Sequence, residues 1–382
     1  MINKKILRIF ANRFVLIYGD LFYFLFKTPL SRFFHYSVSR TLSQPSLDKK
    51  SAFLISSERG LYFFDFHLGR IVAIVRGYIF GFAVTPRHAF IAISSSQESS
   101  VYSFDLKNRF RRPTLIYKQH ARYHGERIHQ LDTFNSYIFM ADTFLNAITV
   151  AHVDSPEERL FSVHPYISVF NSFVNRNVNH INSIQVFSNA ILFIAHNGGS
   201  DDSHIGLIFE DQVSIYVYRN RGCHDIVCDN EDLLISDSFG SFERGREEPP
   251  GIVTPEGKIP LDTHFARGIL KMGNNIFSCS SFHGKRDQRF TGSSQLFKIN
   301  RQTCSAHIVQ RFNFSQIHNI SFFDGSKFDA ETSQFLDVIK VQQLLCSIFS
   351  DPISTHKYIV TVGGTKSRSI HNIFDYTSAF ND

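Results

Sequence analysis

The sequence predicts an all-β fold closed on itself as a ring. The first observation behind this is composition: 382 residues carry 41 Phe and 14 Tyr but no Trp and only 3 Met. Aromatic and β-branched residues suit strands, and the strong helix formers are thin here. The second is a 43% apolar fraction with 19% charge, enough to build a core and too little charge for a disordered chain. The third is a repeat of about 47 residues along the body, the spacing of four-stranded blades with their loops.

Residues 1–50 come first and stand apart. They hold Lys4, Lys5, Arg8, Arg13, Lys27, Arg32, Arg40, Lys49 and Lys50 against Asp20 and Asp48, a net +7. The whole chain is +6, so the other 332 residues sum to −1. The body therefore offers no large basic field, and no nucleic-acid partner is expected. The apolar run from Phe14 to Phe26 is short and interrupted by Asp20, a poor membrane span. No small-residue cleavage site follows it. Cations interleaved with aromatics across residues 1–40 suit peripheral contact with an anionic membrane surface; the plainer alternative is a helix packed across the main domain. Cys223, Cys228, Cys279, Cys304 and Cys346 form an odd set without a CxxC pair, so free thiols in a reducing compartment are expected. Together these place the protein in the cytoplasm, at the inner face of a membrane if the extension engages one.

Residues 51–350 carry the repeat. His129 to Thr143 (HQLDTFNSYIFMADT) superposes without a gap on His224 to Ser238 (HDIVCDNEDLLISDS) and on Arg267 to Ser281 (RGILKMGNNIFSCSS). Weaker copies start at Phe82 and Ser183, and a last inner start stands at His318. The strands Ala52 to Ser56 and Gly60 to Phe66 lack an inner start of their own. The strand at His318 would complete them and join the two ends of the chain into six blades. Closure hides sheet edges, which lets so Phe-rich a set of strands stay in solution. Val338 to Cys346 reads as a helix or a closing strand, and residues 351–382 as a C-terminal tail.

The blade Tyr137-Ile-Phe-Met-Ala-Asp-Thr143, followed by Asn146-Ala-Ile-Thr-Val, resembles the repeat of NHL-type six-bladed β-propellers. That resemblance implies kinship with gluconolactonase-like and peptidyl-amidoglycolate-lyase-like enzymes, and equally with propellers that only bind. In the lyases, histidines two blades apart hold a zinc on the axis.

Three of the six inner starts here are His129, His224 and His318, separated by 95 and 94 residues, two blades each. Alternate blades of a six-membered ring are related by a pseudo-threefold axis, so three imidazoles could meet at the channel mouth. Three nitrogen ligands with an open position are what a catalytic zinc or iron needs. The other expectation is that each His bonds a neighbouring blade or lines a wet channel. Arg267, Ser183 (with His180 just before it) and Phe82 form the second threefold set. A guanidinium at the mouth grips carboxylate or phosphate. Asp142 and Asp237 close their blades, where such an Asp more often pins a turn than acts as a base.

Three loops should open at the mouth: residues 196–204, 239–251 and 282–292. His283, Lys285, Arg286 and Arg289 on the last of them favour an anionic ligand. Residues 118–127 lead into His129 and carry Tyr123. There is no P-loop, no GxGxxG after a strand, no GxSxG and no HExxH, so no nucleotide cofactor is expected.

The resulting expectation is a metal-dependent hydrolase or lyase for a small anionic substrate. His129, His224 and His318 would hold zinc or iron, with Arg267, Asp237 and Tyr123 catalytic. His180, Ser183, His283, Arg286 and Arg289 would bind substrate. The alternative is a non-catalytic propeller presenting its mouth loops to a protein or glycan partner.

Overall fold

The computed structural model describes residues 52–362 apart from short internal segments. Residues 1–51, 95–97, 107–112, 121–127, 157–159, 166–179, 197–201, 221, 239–248, 262–264, 282–291, 315, 324, 328–334 and 363–382 lie outside the described residues. The basic extension, Tyr123, His283, Arg286 and Arg289 therefore fall outside them.

Six antiparallel sheets are each led by an inner strand: Tyr78–Val84, Ile128–Phe134, Ile181–Val186, Cys223–Cys228, Phe265–Met272 and Ile317–Phe322. The last of these pairs with Ala52–Ser57, so the final inner strand completes the blade begun by the first strands of the chain. The protein is a six-bladed β-propeller, closed where the repeat demanded. Blades are numbered from this closing sheet as blade one to the Phe265–Met272 sheet as blade six.

Apolar layers between neighbouring blades make the core. Phe53, Phe64, Phe277, Phe312 and Phe322 fill the wedge between blades six and one. Phe53 alone touches the rings of four other Phe, with centroids 5.3–6.2 Å apart. Such offset and edge-on packing explains the use made of so much phenylalanine.

Every inner strand carries an irregularity at the same level. The pairing register slips between Ile79 and Phe82, Ile128 and Leu131, Ile181 and Ser183, Cys223 and Asp225, and Arg267 and Ile269. In blade one it slips opposite His318. A bulge leaves a residue out of the ladder and re-aims its side chain. The residues at this level are Phe80, His129, Asn182, His224, Arg267 and His318, one per blade, and all six line the axial channel; in blade six Arg267 stays paired with Cys279 and the residue left out is Gly268. Two sequence expectations are thereby corrected. Phe82 lies two residues too deep and packs in the core with Ile79 and Ile91. Ser183 lies one too deep; the channel residue of its blade is Asn182.

In blades three, four and five the residue after the channel residue stitches one blade to the next. Gln130 Oε1 accepts from Ile184 N at 2.7 Å, Ser183 Oγ from Ile226 N at 3.2 Å, and Asp225 Oδ2 from Ile269 N at 2.8 Å. Blades two and six have glycine there instead. A Cβ on Gly81 would lie 2.5 Å from His129 O, and one on Gly268 would lie 2.9 Å from the Ile320 side chain. At those two steps the next backbone comes too close for any side chain.

Beyond Phe322, Lys327 reaches the inner strands of two blades. Lys327 Nζ bonds Asp225, 3.3 Å away, and also Asn319 Oδ1 and Ile320 O. The helix Val338–Phe349, capped by Asp337, then covers blades four and five with Val338, Val341, Leu345 and Phe349. Residues 351–382 do more than trail away: Ser354–Lys357 and Ile359–Val362 add fifth strands to the outer edges of blades four and three. Among the described residues no helix is long and apolar enough to cross a membrane.

Candidate functional site

Residues at and beside the bulges form a nearly continuous collar of π faces around the channel. Phe80 lies 4.4 Å from the rings of both His129 and His318. His129 meets His180 edge-on at 4.7 Å, His180 meets His196 at 4.1 Å, and His196 meets His224 at 5.0 Å. His224 lies 4.6 Å from Phe265, and the Arg267 guanidinium sits 4.5 Å over that same ring. Arg267 Nη1 closes the circle at 2.7 Å from His318 Nδ1.

The backbone explains why these side chains point inward. His180 takes a left-handed conformation, φ 48°, just before its strand, held by Asn146 Oδ1 accepting from its backbone N–H. His196 closes the second strand of that blade, with its backbone N–H bonded to His180 O. His129, His224 and His318 owe their direction to the bulges, while Arg267 is paired with Cys279 just before the bulge at Gly268.

Their hydrogen bonds fix the imidazoles in different states. A guanidinium only donates, so His318 Nδ1 accepts and its neutral form carries hydrogen on Nε2. A carbonyl only accepts, so His224 Nδ1 donates to Gly222 O at 2.6 Å, and Ser238 Oγ lies 2.8 Å from the same nitrogen. Burial pushes His180 and His224 well below the ordinary imidazole range, helped by the nearby Arg267 charge and neighbouring imidazoles. Burial pushes His196 down to about 4. These three are neutral at pH 7.

Below the collar lies a small polar space, also lined by Gln130, Asn182, Asp225 and Asn319. It leaves about 10 Å³ for the centre of a water-sized sphere, roughly one water. A drug-sized ligand needs some 300 Å³ or more, so a substrate cannot sit inside the channel at this level. Asp225 is the one carboxylate in this lining and is committed: Gln130, Ile269 N and Lys327 all donate to it.

The sequence reading set His129, His224 and His318 together on the axis as metal ligands. All three line the same space, yet they do not form a metal site. Among the described residues no three His, Cys, Asp or Glu side chains are grouped to hold an ion. Chemistry gives a second reason. A metal on His318 Nε2 would need that nitrogen deprotonated, driving its hydrogen to Nδ1, against the Arg267 donor. The residues present do not fit a three-histidine zinc or iron centre, and no chemical step is derived through one.

Asp237 is corrected as well. It is fully buried, bonded to Lys258 Nζ at 2.7 Å, Tyr218 at 2.9 Å and Asn220 at 3.1 Å, far too occupied to serve as a base. Asp142 pins its turn as expected, accepting from Phe144 N and Leu145 N at 3.1 Å. Ser183 is an inter-blade stitch, not a ligand contact. Arg267 lines the axial space, and His180 packs between His129 and His196. Sequence reasoning missed Phe80 and, as the channel residue of its blade, Asn182, and with them the axial placing of His196, Phe265 and Lys327. A register search allowing one bulge residue per inner strand would have found the first two. The others reach the axis from a neighbouring strand end or the segment beyond Phe322, which no repeat marks.

No family model matches the chain, and no curated protein matches it. Solved structures do. One is a chain of a nidogen–laminin complex, with TM-score 0.51 and 12% identity over 72% of this chain and 98% of that one. Similarity reaches the fold and stops there. A Bacteroides fragilis protein assigned provisionally as a 6-phosphogluconolactonase aligns over 73% of this chain and 100% of its own, at TM-score 0.43 and 13% identity. A provisional TolB from Agrobacterium tumefaciens aligns over 69% and 90%, at TM-score 0.45 and 10% identity. Likenesses this loose carry no functional argument.

Proposed function

We propose that this propeller binds an anionic group on the Arg267 side of its collar. The observation that carries the reading is the held guanidinium: Arg267 rests on the Phe265 face and donates to His318, so its fork is oriented beforehand. His180 and His224 nearby are neutral, and Asp225 beneath is already bonded to Lys327. Because the space below the collar is water-sized, the ligand sits above it, where the sequence places the cationic 282–292 loop with His283, Arg286 and Arg289. A carboxylate or phosphate displayed by a larger partner, protein or glycan, suits such a shallow platform.

Thermal-shift and calorimetric titration with citrate, phosphate and sulfate, against chloride as control, test this. Saturable stabilisation that disappears in a folded Arg267→Gln protein is expected. No shift with any of the anions, or an unchanged shift in the variant, overturns the proposal.

A second reading keeps catalysis without metal. His224 is held in one tautomer by Gly222 O, as general bases are, beside a guanidinium suited to a substrate anion. It accommodates the hydrolase or lyase chemistry that the NHL-type resemblance implies. Against it stands the strongly lowered pKa of His224, since bases work best near the working pH. Activity on a panel of small esters and lactones, lost in His224→Gln, would move the assignment to this reading.

A further inference from the structure

The one-water space beneath the collar has its own chemistry, independent of any ligand above it. Asn182 is the bulged residue of blade four, 3% exposed, and its amide cannot be turned over. Its Nδ2 donates to Cys223 O at 2.9 Å across the blade boundary. A carbonyl can only accept, so rotating the amide would set two acceptors against each other. Oδ1 is therefore fixed as the atom left over. It is fully buried, and no donor reaches it among the described residues. Asn182 also belongs to the lining of the axial space.

A buried amide oxygen without a donor costs roughly 1–3 kcal/mol, so such an atom calls for a partner. No described donor of the wall bonds it: Gln130 directs Nε2 to Asp225 and accepts at Oε1 from Ile184 N, and Asp225 is itself an acceptor. A cation is a poor occupant, because the Arg267 guanidinium lines the same space and the Lys327 ammonium lies just behind Asp225. An anion is excluded by Asn182 Oδ1 and the adjacent carboxylate. A neutral molecule that both donates and accepts satisfies every wall, and the volume admits one of water's size.

We infer that the channel holds a single structural water on the axis, donating to Asn182 Oδ1 beneath the collar. The water links blade four to the other bulged residues at the level where direct stitching gives out. It also forms the floor of the mouth site.

A crystal structure of the full chain at about 2 Å or better tests the inference, since a buried water with several partners is ordered at that resolution. The expected result is one peak enclosed by the channel residues, within hydrogen-bond distance of Asn182 Oδ1. It should vanish in Asn182→Leu, a side chain of similar volume with no acceptor. Empty density beside a correctly placed Asn182, a peak whose contacts are short enough for a metal ion, or a peak persisting unchanged in the variant would each overturn it. Should the variant not fold, the native density decides alone, because the first two of these outcomes are read from it.

Discussion

Acid should loosen this propeller through His196, and the effect can be isolated by one substitution. In the folded protein burial holds this imidazole near pKa 4, against about 6.5 when exposed. The unfolded chain therefore takes up a proton between these values that the folded protein refuses. A lowered folded pKa means that the contribution is whole above pH 6.5 and erodes as pH falls towards 4. A gap of about two and a half pH units, at about 1.4 kcal/mol each, amounts to roughly 3 kcal/mol lost from His196 alone. His180 and His224, lowered by the same burial, steepen the decline. Asp132 works the other way. Burial raises its carboxyl to about 6, so it stabilises below its unfolded pKa and loses that contribution as pH rises through 6.

Replacing His196 with Gln removes the titration and leaves Asp132 in place, so the carboxyl cancels in the comparison. Urea unfolding of both proteins at pH 7, 6, 5 and 4.5 would measure it. The variant should be the weaker at pH 7, by about 1 kcal/mol for lost packing. Its disadvantage should shrink by roughly 3 kcal/mol towards pH 4 and reverse on the way. If the two stability curves fall in parallel, His196 titrates alike in both states, and the description of the collar as a set of neutral, water-shielded imidazoles is wrong.

Three further outcomes follow from the same geometry. Lys327→Met leaves Asp225 buried with only neutral donors, and the free energy of unfolding should fall by about 3 kcal/mol, the low end of the cost of breaking a buried pair; an unchanged denaturation curve would show that Lys327 is a passenger. Ending the chain at Ser350 strips the fifth strands from blades three and four and removes the buried Tyr358 and Val360, each worth about 1.5–3 kcal/mol of burial. Such a protein should melt lower and aggregate through its bared edges, seen by calorimetry and light scattering; equal melting would dismiss the brace. Full-length protein should float with anionic liposomes while a chain starting at Ser51 does not, and equal flotation of both would remove the basic extension as a membrane contact.

The sequence by itself determined the ring. Repeats of about 47 residues and the unpaired strands at Ala52 and Gly60 required six blades closed by the strand at His318, because a Phe-rich sheet edge cannot be left open to water. It also put His129, His224 and His318 on alternate blades, which a fixed period is enough to decide. What it could not decide was direction. Whether residue 80 or 82, 182 or 183 faces the axis depends on a bulge in each inner strand, and one extra residue there turns side chains from core to channel. Nor could spacing show that Phe80 stands between His129 and His318, or that Arg267 holds His318 Nδ1. Those contacts join residues on different blades, so only the closed ring brings them within reach. They turn an apparent metal triad into an aromatic collar around one guanidinium.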